Sequence, residues 1–366
     1  MERLNLNVLF WVRPDFHSYP GGDTVQLHSS AAMLRELGCE VTLSSDPGLD
    51  PSLFDVIHLW HLERCHDTWL LFQMARKSGK PILLSPIYWP WNHLPLKSNG
   101  AKWLRGFKED GKNWIRFFNA VRTGSNLYKR FIAAALRTGW LKCREAMLNG
   151  VSMLLPNSPS EAEILRAEKS SNVPILVVPN VVDDRKCGSF PRLPWNERDL
   201  ILCVGHFCPR KNQLALIDAL KGSSLSVTFI GGLRPMHRGY FEHCRRVSSG
   251  RHHFLGNLSH DDVLQLMGRA KAHIHVSKLE TPGLVNLEAA LMGCNLVLPP
   301  VAPVRDYFGS LGNYIRSYAR EDIRRELEKA VSVPPNGALE EHVRRNFTQD
   351  QLRQSLFDAY ACVVRR

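Results

Sequence analysis

The chain alternates strand-like and helix-like segments, and this alternation restricts its fold more than any other feature. Apolar runs at residues 6–12 and 40–44 flank a helical pattern at 24–37, for which Asp23 is the expected N-cap. Further strands are predicted at 55–60, 81–85, 151–156 and 175–178, with helices at 68–78 and 159–169. Alternating strands and helices of this length predict an α/β fold with parallel, doubly wound sheets and helices on both faces.

The alternation stops once and then begins again. Residues 179–199 contain three prolines and mixed charge, which is typical of a linker. Strand and helix patterns then return from residue 200, and a last helix is expected at 348–360. A length of 366 residues also favours about two domains. The predicted organisation is an N-terminal Rossmann-like domain (1–178), a linker (179–199), a C-terminal Rossmann-like domain (200–345) and a terminal helix (346–366).

Composition excludes several classes of protein. No apolar run approaches the ~18 residues of a membrane-spanning helix, and the N-terminus does not resemble a signal peptide. Nine scattered cysteines without a C-x-x-C pair argue against a disulfide framework and a zinc site. We therefore expect a cytoplasmic protein with no bound metal. The net charge of +12 predicts an anionic partner.

Most of this charge lies in one segment, residues 97–145. The segment carries twelve basic and three acidic side chains, interleaved with eight large aromatic residues. Trp114, Phe117, Phe118 and Val121 recur at helical spacing, in a pattern that Gly111 and Gly124 are expected to interrupt. A basic amphipathic segment of this kind favours an anionic membrane surface. The alternative is an ordinary helix pair with a solvated basic face.

The common nucleotide-binding signatures are absent. The sequence contains no G-x-G, no G-x-x-x-x-G-K-[ST] loop and no D-x-D pair. The stretch VSKLETPGLVNLEAALMG at 276–293 is more informative. It places Glu280 in a loop after a strand, Pro282 and Gly283 at a helix start, and Glu288 one turn into the helix. The free N–H groups of a helix start form an anion site, so these carboxylates are expected to flank a phosphate-bearing ligand.

This stretch resembles the Glu-x7-Glu element of retaining glycosyltransferases of family 4, which have the GT-B fold of two facing Rossmann-like domains. The resemblance implies that the C-terminal helix docks back on the N-terminal domain. It also assigns Glu288 to the ribose of a nucleotide sugar and Glu280 to the transferred sugar, with Leu284 among the donor-binding residues.

A second stretch, VGHFCPRKNQLALIDAL at 204–220, resembles the basic loop of the same family. Gly205 follows the strand, and Lys211 takes the place of the lysine that grips the donor diphosphate. His206 stands where the family usually has an arginine, which leaves Arg210 as the second cation.

Weaker similarities cover most of the chain. They assign Gly22, in the first βα loop, Gly231, and the loop residues Asn257 and Leu258 to donor binding. The family histidine that commonly follows the fourth strand is missing, because Ser85, Pro86 and Tyr88 stand there. His58, His61 or His93 could substitute for it.

The resemblance implies a metal-independent hexosyltransferase that uses a nucleoside diphosphate sugar and needs no cofactor. Its N-terminal domain is expected to bind the acceptor, a glycan or lipid-linked precursor in polysaccharide biosynthesis, at the cytoplasmic face of the membrane. Two alternatives are a GT-B sugar-nucleotide epimerase, which needs no acceptor, and a basic nucleic-acid-binding protein. The second is disfavoured because no nucleic-acid-binding module is recognisable, so nucleic acid is not an expected partner.

Overall fold

A computed structural model of the chain describes residues 3–16, 21–89, 99–248, 250–281 and 283–365. The chain divides into two compact units. Unit 1 comprises Met1–Pro179 and Asp350–Arg366, and unit 2 comprises Asn180–Gln349.

Unit 1 is built on a five-stranded parallel sheet covered by helices. Its strands are β1 (Asn7–Trp11), β2 (Glu40–Ser44), β3 (Val56–Trp60), β4 (Ile82–Ser85) and β5 (Met153–Leu154). Its helices are α1 (Gly22–Glu36), α2 (Cys65–Lys77), α3 (Asn99–Arg122), α4 (Asn126–Thr138), α5 (Trp140–Gly150), α6 (Pro159–Glu168) and the C-terminal helix, α15 (Gln349–Val364). The strand order is β2-β1-β3-β4-β5. Every residue of β3 is buried, as expected for a central strand covered on both faces.

Two predicted details of unit 1 were wrong. Gly21, not Asp23, is the N-cap of α1, because the Asp23 carboxylate turns away to bind Arg13 and His61. The strand expected at 175–178 is reduced to a bridge between Ile175 and Leu154.

The basic segment forms three helices, α3 to α5. Gly111 does not interrupt α3, because a glycine inside a helix costs only about 1 kcal/mol relative to alanine. The chain turns instead at Gly124, with φ of +71°, and again at Gly139, with φ of +84°. Both glycines have a positive φ, which glycine adopts without steric cost.

The C-terminal helix α15 packs into unit 1, as predicted. Leu352, Leu356 and Tyr360 are buried along one stripe. The Tyr360 hydroxyl lies 2.8 Å from Nδ1 of His58 in the central strand β3, and the other ring nitrogen of His58 lies 2.9 Å from the Ser85 hydroxyl. A polar contact inside the core therefore joins α15 to the middle of the sheet.

Unit 2 is built on a six-stranded parallel sheet. Its strands are β6 (Leu200–Val204), β7 (Thr228–Ile230), β8 (His253–Gly256), β9 (Ala270–Ile274), β10 (Asn295–Leu298) and β11 (Asn313–Tyr314), in the order β11-β10-β9-β6-β7-β8. Its helices are α7 (Asp184–Gly188), α8 (Gln213–Ala219), α9 (Arg238–Ser248), α10 (His260–Met267), α11 (Leu284–Leu291), α12 (Ala302–Phe308), α13 (Arg320–Ser332) and α14 (Ala338–Asn346). Separate apolar clusters cover the two faces of the sheet, one under α10 and α11 and the other under α8 and α13.

The segment predicted as a linker is part of unit 2. The chain passes from unit 1 to unit 2 at Pro179 and Asn180 and returns at Gln349 and Asp350. Residues 180–199 then fold into unit 2, because Val182 and Cys187 enter its apolar core.

We expect the contact between α15 and β3 to contribute measurably to stability. Tyr360→Phe removes the hydroxyl and leaves a buried His58 nitrogen without its partner, which should cost about 1–3 kcal/mol. Urea unfolding of the variant measures this loss. Asp358→Asn, an exposed change on the same helix, is the control and should stay within about 0.5 kcal/mol of wild type. Equal stability of Tyr360→Phe and wild type would contradict the assigned role.

Candidate functional site

The strand order of unit 2 reverses between β6 and β9. From β6 the chain builds outward through β7 and β8, and then crosses to β9 and continues to β10 and β11. In such sheets the loops after the two central strands diverge, and ligands bind in the crevice between them. Here the two loops are residues 205–212, after β6, and 275–283, after β9. They are also joined directly, since Lys278 N–H donates to the Arg210 carbonyl (2.9 Å) and the Arg210 guanidinium donates to the Leu279 carbonyl (2.8 Å).

Lys211 connects the two loops at this point. Its ammonium nitrogen lies 2.6 Å from Oε2 of Glu280 and 3.0 Å from Nε2 of His275. The side chain is 11% exposed. An ammonium group has three N–H donors, so these contacts leave one for a further acceptor.

Two effects fix the charge state of Glu280. Burial alone would raise its pKa, but the charges of Lys211 and Arg210 and the hydrogen bond from Lys211 outweigh burial and lower the pKa to about 2. Glu280 is therefore a carboxylate at neutral pH. Arg210 adds a weaker contact, with its guanidinium 3.9 Å from Oε2.

His275 is neutral at this site. Burial, and next the charge of Lys211, hold its pKa well below the usual range. Its Nε2 lies 3.0 Å from the Lys211 ammonium, 2.7 Å from the Ser277 hydroxyl and 3.2 Å from Oε2 of Glu280, and its Nδ1 lies 3.4 Å from Nδ2 of Asn286. His275 and Glu280 thus fix the position of the Lys211 ammonium.

Glycines let the backbone come close to this cluster. A Cβ on Gly231 would lie 2.2 Å from the carbonyl oxygen of Gly205, so no side chain fits there. The side chain of Lys211 covers Gly205, with its Cε 3.6 Å from the position of a Cβ. Both glycines follow strands, β6 and β7, at the same edge of the sheet.

The start of α11 borders the same polar cluster, next to His275 and Glu280. Gly283 is its N-cap, with φ of +75°, and a Cβ there would lie 2.8 Å from Nδ2 of Asn286. Leu284 is the first residue of the helix. Pro282 lies outside the described residues. The predicted anion-binding helix start is thus adjacent to Glu280 and His275.

Glu288 is held by a different partner. Its Oε1 lies 2.8 Å from Nε2 of His260, the first residue of α10. This hydrogen bond is the main cause of the raised pKa of His260. The two predicted glutamates therefore lie in separate polar clusters, one with Lys211 and one with His260.

His206, Asn257 and Leu258 lie at the edge of the site. Burial lowers the pKa of His206, and its Nδ1 lies 3.3 Å from the Gly232 carbonyl. Asn257 is exposed, and its Oδ1 lies 3.5 Å from where a Cβ on Gly232 would be, while Leu258 packs on the apolar core.

Gly22 belongs to unit 1 and is the first residue of α1. It is exposed, and a Cβ there would meet no heavy atom within 4 Å. Of the histidines considered as substitutes, His58 is enclosed in the core, His61 follows β3 and lies 3.0 Å from Asp23, and His93 lies outside the described residues.

Three polar residues of these clusters, His275, Ser277 and His260, were not predicted from the sequence. A signal for the first two exists in the pattern HIHVS at 273–277, where polar residues alternate with apolar ones at the end of β9 and just beyond it, and all five are buried. Alternation in a central parallel strand is unexpected, because both of its faces are covered. For His260 the sequence holds no comparable signal, since its partner lies 28 residues away.

Solved structures share this architecture over the whole chain. A sucrose-phosphate synthase from Thermosynechococcus elongatus has a TM-score of 0.69 at 16% identity and covers 98% of each chain. Anabaena Alr3699/HepE, solved with UDP and glucose, has a TM-score of 0.65 at 16% identity, with 98% of this chain and 100% of that chain covered. WaaG, a glycosyltransferase involved in lipopolysaccharide biosynthesis, has a TM-score of 0.56 at 16% identity, with 98% and 99% covered. The fold is therefore GT-B, as the sequence predicts.

The family comparison concerns unit 2. Residues 189–349 match the family model of glycosyl transferases group 1. This range contains Lys211, Glu280 and the whole polar cluster between β6 and β9. No curated protein matches the chain in sequence.

The lowered pKa of Glu280 predicts a stability effect that depends on pH. Because the pKa is about 2 in the folded chain against an ordinary 4.5, folding favours the charged form. This stabilisation, roughly 3 kcal/mol, is present above about pH 4.5 and is lost as pH falls towards 2. Glu280→Gln should therefore destabilise the protein most at pH 7 and progressively less between pH 5 and pH 3.

Urea unfolding across that pH range provides the measurement. Glu341→Gln is the control, because this carboxylate is 69% exposed and paired only with Arg345 among the described side chains; its effect should be small at every pH. If Glu280→Gln lowers the free energy of unfolding by the same amount from pH 7 to pH 3, the Glu280 carboxylate is not stabilised by its charge.

Proposed function

We propose that the protein is a retaining glycosyltransferase that transfers a hexose from a nucleoside diphosphate sugar to a hydroxyl acceptor. The observation that carries the proposal is the cluster of Lys211, Glu280 and His275 at the point where the strand order of unit 2 reverses. The family match over 189–349 and the similarity to HepE, which was solved with UDP and glucose, support a nucleotide-sugar donor.

Lys211 would bind the departing diphosphate. Two of its N–H groups already point at Glu280 and His275, so the ammonium is held in place before a ligand arrives. The third N–H and the nearby Arg210 guanidinium would neutralise the charge that develops on the leaving group. A hydrogen-bond donor that is already fixed in position does not have to reorganise during the reaction. Such preorganisation is the basis of most electrostatic catalysis. In this proposal, the two cations do the work that a metal ion performs in other transferases.

The two glutamates would have different tasks. Glu280, charged and adjacent to Lys211, would bind hydroxyls of the transferred hexose. Glu288, which is more accessible and bonded to His260, would bind the ribose hydroxyls. Gly205 and Gly231 would let the backbone approach the diphosphate, while Gly283, Leu284 and Pro282 would contribute the helix start. His206, Asn257 and Leu258 would border the nucleoside, and Gly22 would contribute from unit 1.

A thermal-shift screen with nucleoside diphosphates and their sugars tests donor binding. Any compound present at ~100 times its dissociation constant should add about 2.7 kcal/mol of stability. We expect UDP or another nucleoside diphosphate to stabilise wild type, and Lys211→Ala to lose this shift together with roughly 10²–10³ of turnover.

Lys221→Ala is the matched control. Lys221 is an exposed lysine of unit 2, paired with Asp218 at 2.7 Å, and its removal should leave both binding and turnover unchanged. Turnover of Lys211→Ala within threefold of wild type would exclude the proposed role. Isomerisation of the donor sugar without acceptor would favour the epimerase instead.

The acceptor would be lipid-linked or a cell-surface glycan precursor, reached at a membrane surface. The exposed stripe of α3 supports this part of the proposal, since Phe107 (73% exposed), Trp114 (52%) and Phe118 (63%) share one helical face. Apolar side chains in such number on one face mark an interaction site. Among the described residues, no helix has the length and apolar content needed to cross a bilayer.

A groove of about 330 Å³ lies beside this stripe. Leu70, Phe117, Ala133 and Ala134 give it an apolar floor, and Lys129, Arg130 and Arg137 line it with positive charge. Among the described side chains, none of the three cations has a carboxylate partner within 4 Å. The ring centroid of Phe117 lies 6.1 Å from that of Trp114 and 6.2 Å from that of Phe118, so the floor continues into the exposed stripe. Apolar surface beside unpaired cations is complementary to an anionic lipid, whose phosphate would meet the cations.

Co-sedimentation with liposomes tests the proposed binding to an anionic membrane surface. Binding should require anionic lipid and should weaken steeply as the Debye length shrinks from ~10 Å at 0.1 M to ~3 Å at 1 M salt. Replacing Lys129, Arg130 and Arg137 with serine should lower the affinity roughly a hundredfold, at about 1 kcal/mol per cation.

The control removes the same charge elsewhere. Arg238, Arg245 and Arg246 are exposed on α9 of unit 2, and their replacement by serine should change binding little. Equal losses in the two triple variants would show that net charge alone governs binding. No binding of wild type to anionic vesicles at low salt would favour a soluble acceptor.

A further inference from the structure

A second polar cavity lies in unit 2, at the edge of the sheet opposite to the Lys211 cluster. Arg198 precedes β6 by two residues, Ala270 begins β9 and Gly293 precedes β10 by two residues. Since these three strands are neighbours, the cavity lies at their amino ends. Its volume is about 190 Å³. The length of β9, roughly 16 Å, separates it from the Lys211 cluster, so it is a separate site.

Arg198 brings a buried positive charge to this cavity. The residue is 8% exposed. Its Nε donates to the carbonyl of Leu193 (2.9 Å), and its Nη1 donates to the carbonyls of Gly293 (2.8 Å), Ala270 (3.0 Å) and Met292 (3.2 Å). Among the described residues these partners are all carbonyls, none is a carboxylate, and Nη2 has no acceptor. A buried cation without a counter-charge is costly, and burial accordingly lowers the pKa of Arg198.

Arg192 brings a second guanidinium to the same point. The position that a Cβ on Gly293 would take lies 3.2 Å from Nη2 of Arg198 and 3.7 Å from Nη1 of Arg192, and a glycine leaves that position free. Arg192 also lies 2.8 Å from Oε2 of Glu340. This carboxylate is shared, because its other oxygen lies 2.9 Å from Nη2 of Arg344. Positive charge therefore dominates where the two guanidinium groups converge.

The rest of the wall is largely apolar. Trp195, Ala290, Pro335 and Leu339 line the cavity beside the two arginines. A cavity of about 150 Å³ already holds a benzene ring, so this one accepts more than a small inorganic ion. Trp195 and Arg192 are partly exposed, and the cavity opens to solvent on their side.

We propose that this cavity binds the phosphate group of a small organic phosphate monoester, with Arg192 and Arg198 on the phosphate and Trp195 beside the organic part. The planar fork of a guanidinium matches the spacing of phosphate oxygens. Nη2 of Arg198 supplies N–H groups that no acceptor among the described residues uses, and the phosphate supplies the counter-charge that this guanidinium lacks. The site does not rest on the proposed function, because it shares no residue with the Lys211 cluster.

Trp195 provides a local reporter, because it is the only tryptophan in residues 180–349. Proton–nitrogen NMR of the full-length protein shows its indole N–H signal, identified by its absence in Trp195→Phe. We expect this signal to shift on titration with phenyl phosphate. The indole signal of Trp11, which donates to the Asp46 carbonyl in unit 1, is the control and should not move.

Titration with inorganic phosphate distinguishes the two sources of the phosphate group. Phenyl phosphate should bind more tightly, since its ring covers apolar surface that inorganic phosphate leaves exposed to water. Equal affinity for the two probes would overturn the monoester and leave inorganic phosphate as the ligand.

Two substitutions at one ion pair should act in opposite directions. Arg192→Gln removes a cation from the phosphate and should weaken phenyl phosphate binding about tenfold or more. Glu340→Gln releases Arg192 from its carboxylate and removes a negative charge near the phosphate, so binding should become severalfold tighter. A purely structural role of the ion pair predicts no gain of affinity from either change. Urea unfolding verifies that both variants are folded.

The pair Arg324 and Glu328 on α13 supplies matched controls. Its two side chains also lie 2.8 Å apart, and Arg324 is 38% exposed against 39% for Arg192. Since α13 covers the other face of the sheet, Arg324→Gln and Glu328→Gln remove the same charges away from the cavity. Both should leave the affinity for phenyl phosphate within about twofold of wild type.

Three results would overturn the site. The first is a Trp195 signal that neither probe shifts. The second is equal weakening by Arg192→Gln and Arg324→Gln, which would identify an adventitious ion only, attracted by net charge. The third is a Glu340→Gln variant that binds no more tightly than wild type. Absence of binding of any nucleoside diphosphate would instead count against the proposed function alone, because this titration follows a signal at the opposite edge of the sheet.

Discussion

A parallel sheet cannot be built from hairpins, and this constraint determines where polar groups gather in both units. Each strand must be followed by a crossover, so all carboxyl ends of the strands lie at one edge of the sheet. Where the strand order reverses, two neighbouring loops leave in opposite directions and open a crevice. Lys211 and Glu280 meet at that point in unit 2, and Asp23 and His61 meet at the equivalent point in unit 1. The same topological rule therefore accounts for two polar clusters with unrelated sequences.

Burying Lys211 is costly unless its charge is matched. A buried ammonium or carboxylate alone would become neutral, because desolvation disfavours the charged form. The charge of Lys211 keeps the Glu280 pKa low, and neutral His275 contacts Lys211 without adding charge of its own. The result is a cation that is fixed in direction and only partly neutralised, which suits an anionic ligand better than a freely moving surface lysine.

The repeating pattern of apolar residues was sufficient to predict the fold class, because central strands such as β3 and β6 are short apolar runs between clear helices. Resemblance to the family's motifs also led to Lys211, Glu280 and Gly283, which the structure brings together. It could not reveal that Glu280 pairs with Lys211 while Glu288 pairs with His260, since side-chain partners depend on tertiary distances. The N-cap of α1 was mispredicted for the same reason: Asp23 has good capping chemistry, but the buried Arg13 competes for its carboxylate. The linker was mispredicted because proline content says nothing about whether Val182 is buried.

The return of α15 to unit 1 has a consequence for how the protein is made. Unit 2 is one continuous stretch of chain, whereas unit 1 needs residues from both ends. His58 and its partner Tyr360 are 302 residues apart, and at roughly 5–20 residues per second a ribosome needs about 15–60 s to synthesise that interval. During that time the central sheet of unit 1 lacks the helix that covers it, while unit 2 can fold as soon as it emerges. The first part of the chain to be synthesised is thus the last to be completed, and a nascent chain interrupted before residue 350 would expose the apolar surface that Leu352, Leu356 and Tyr360 normally cover.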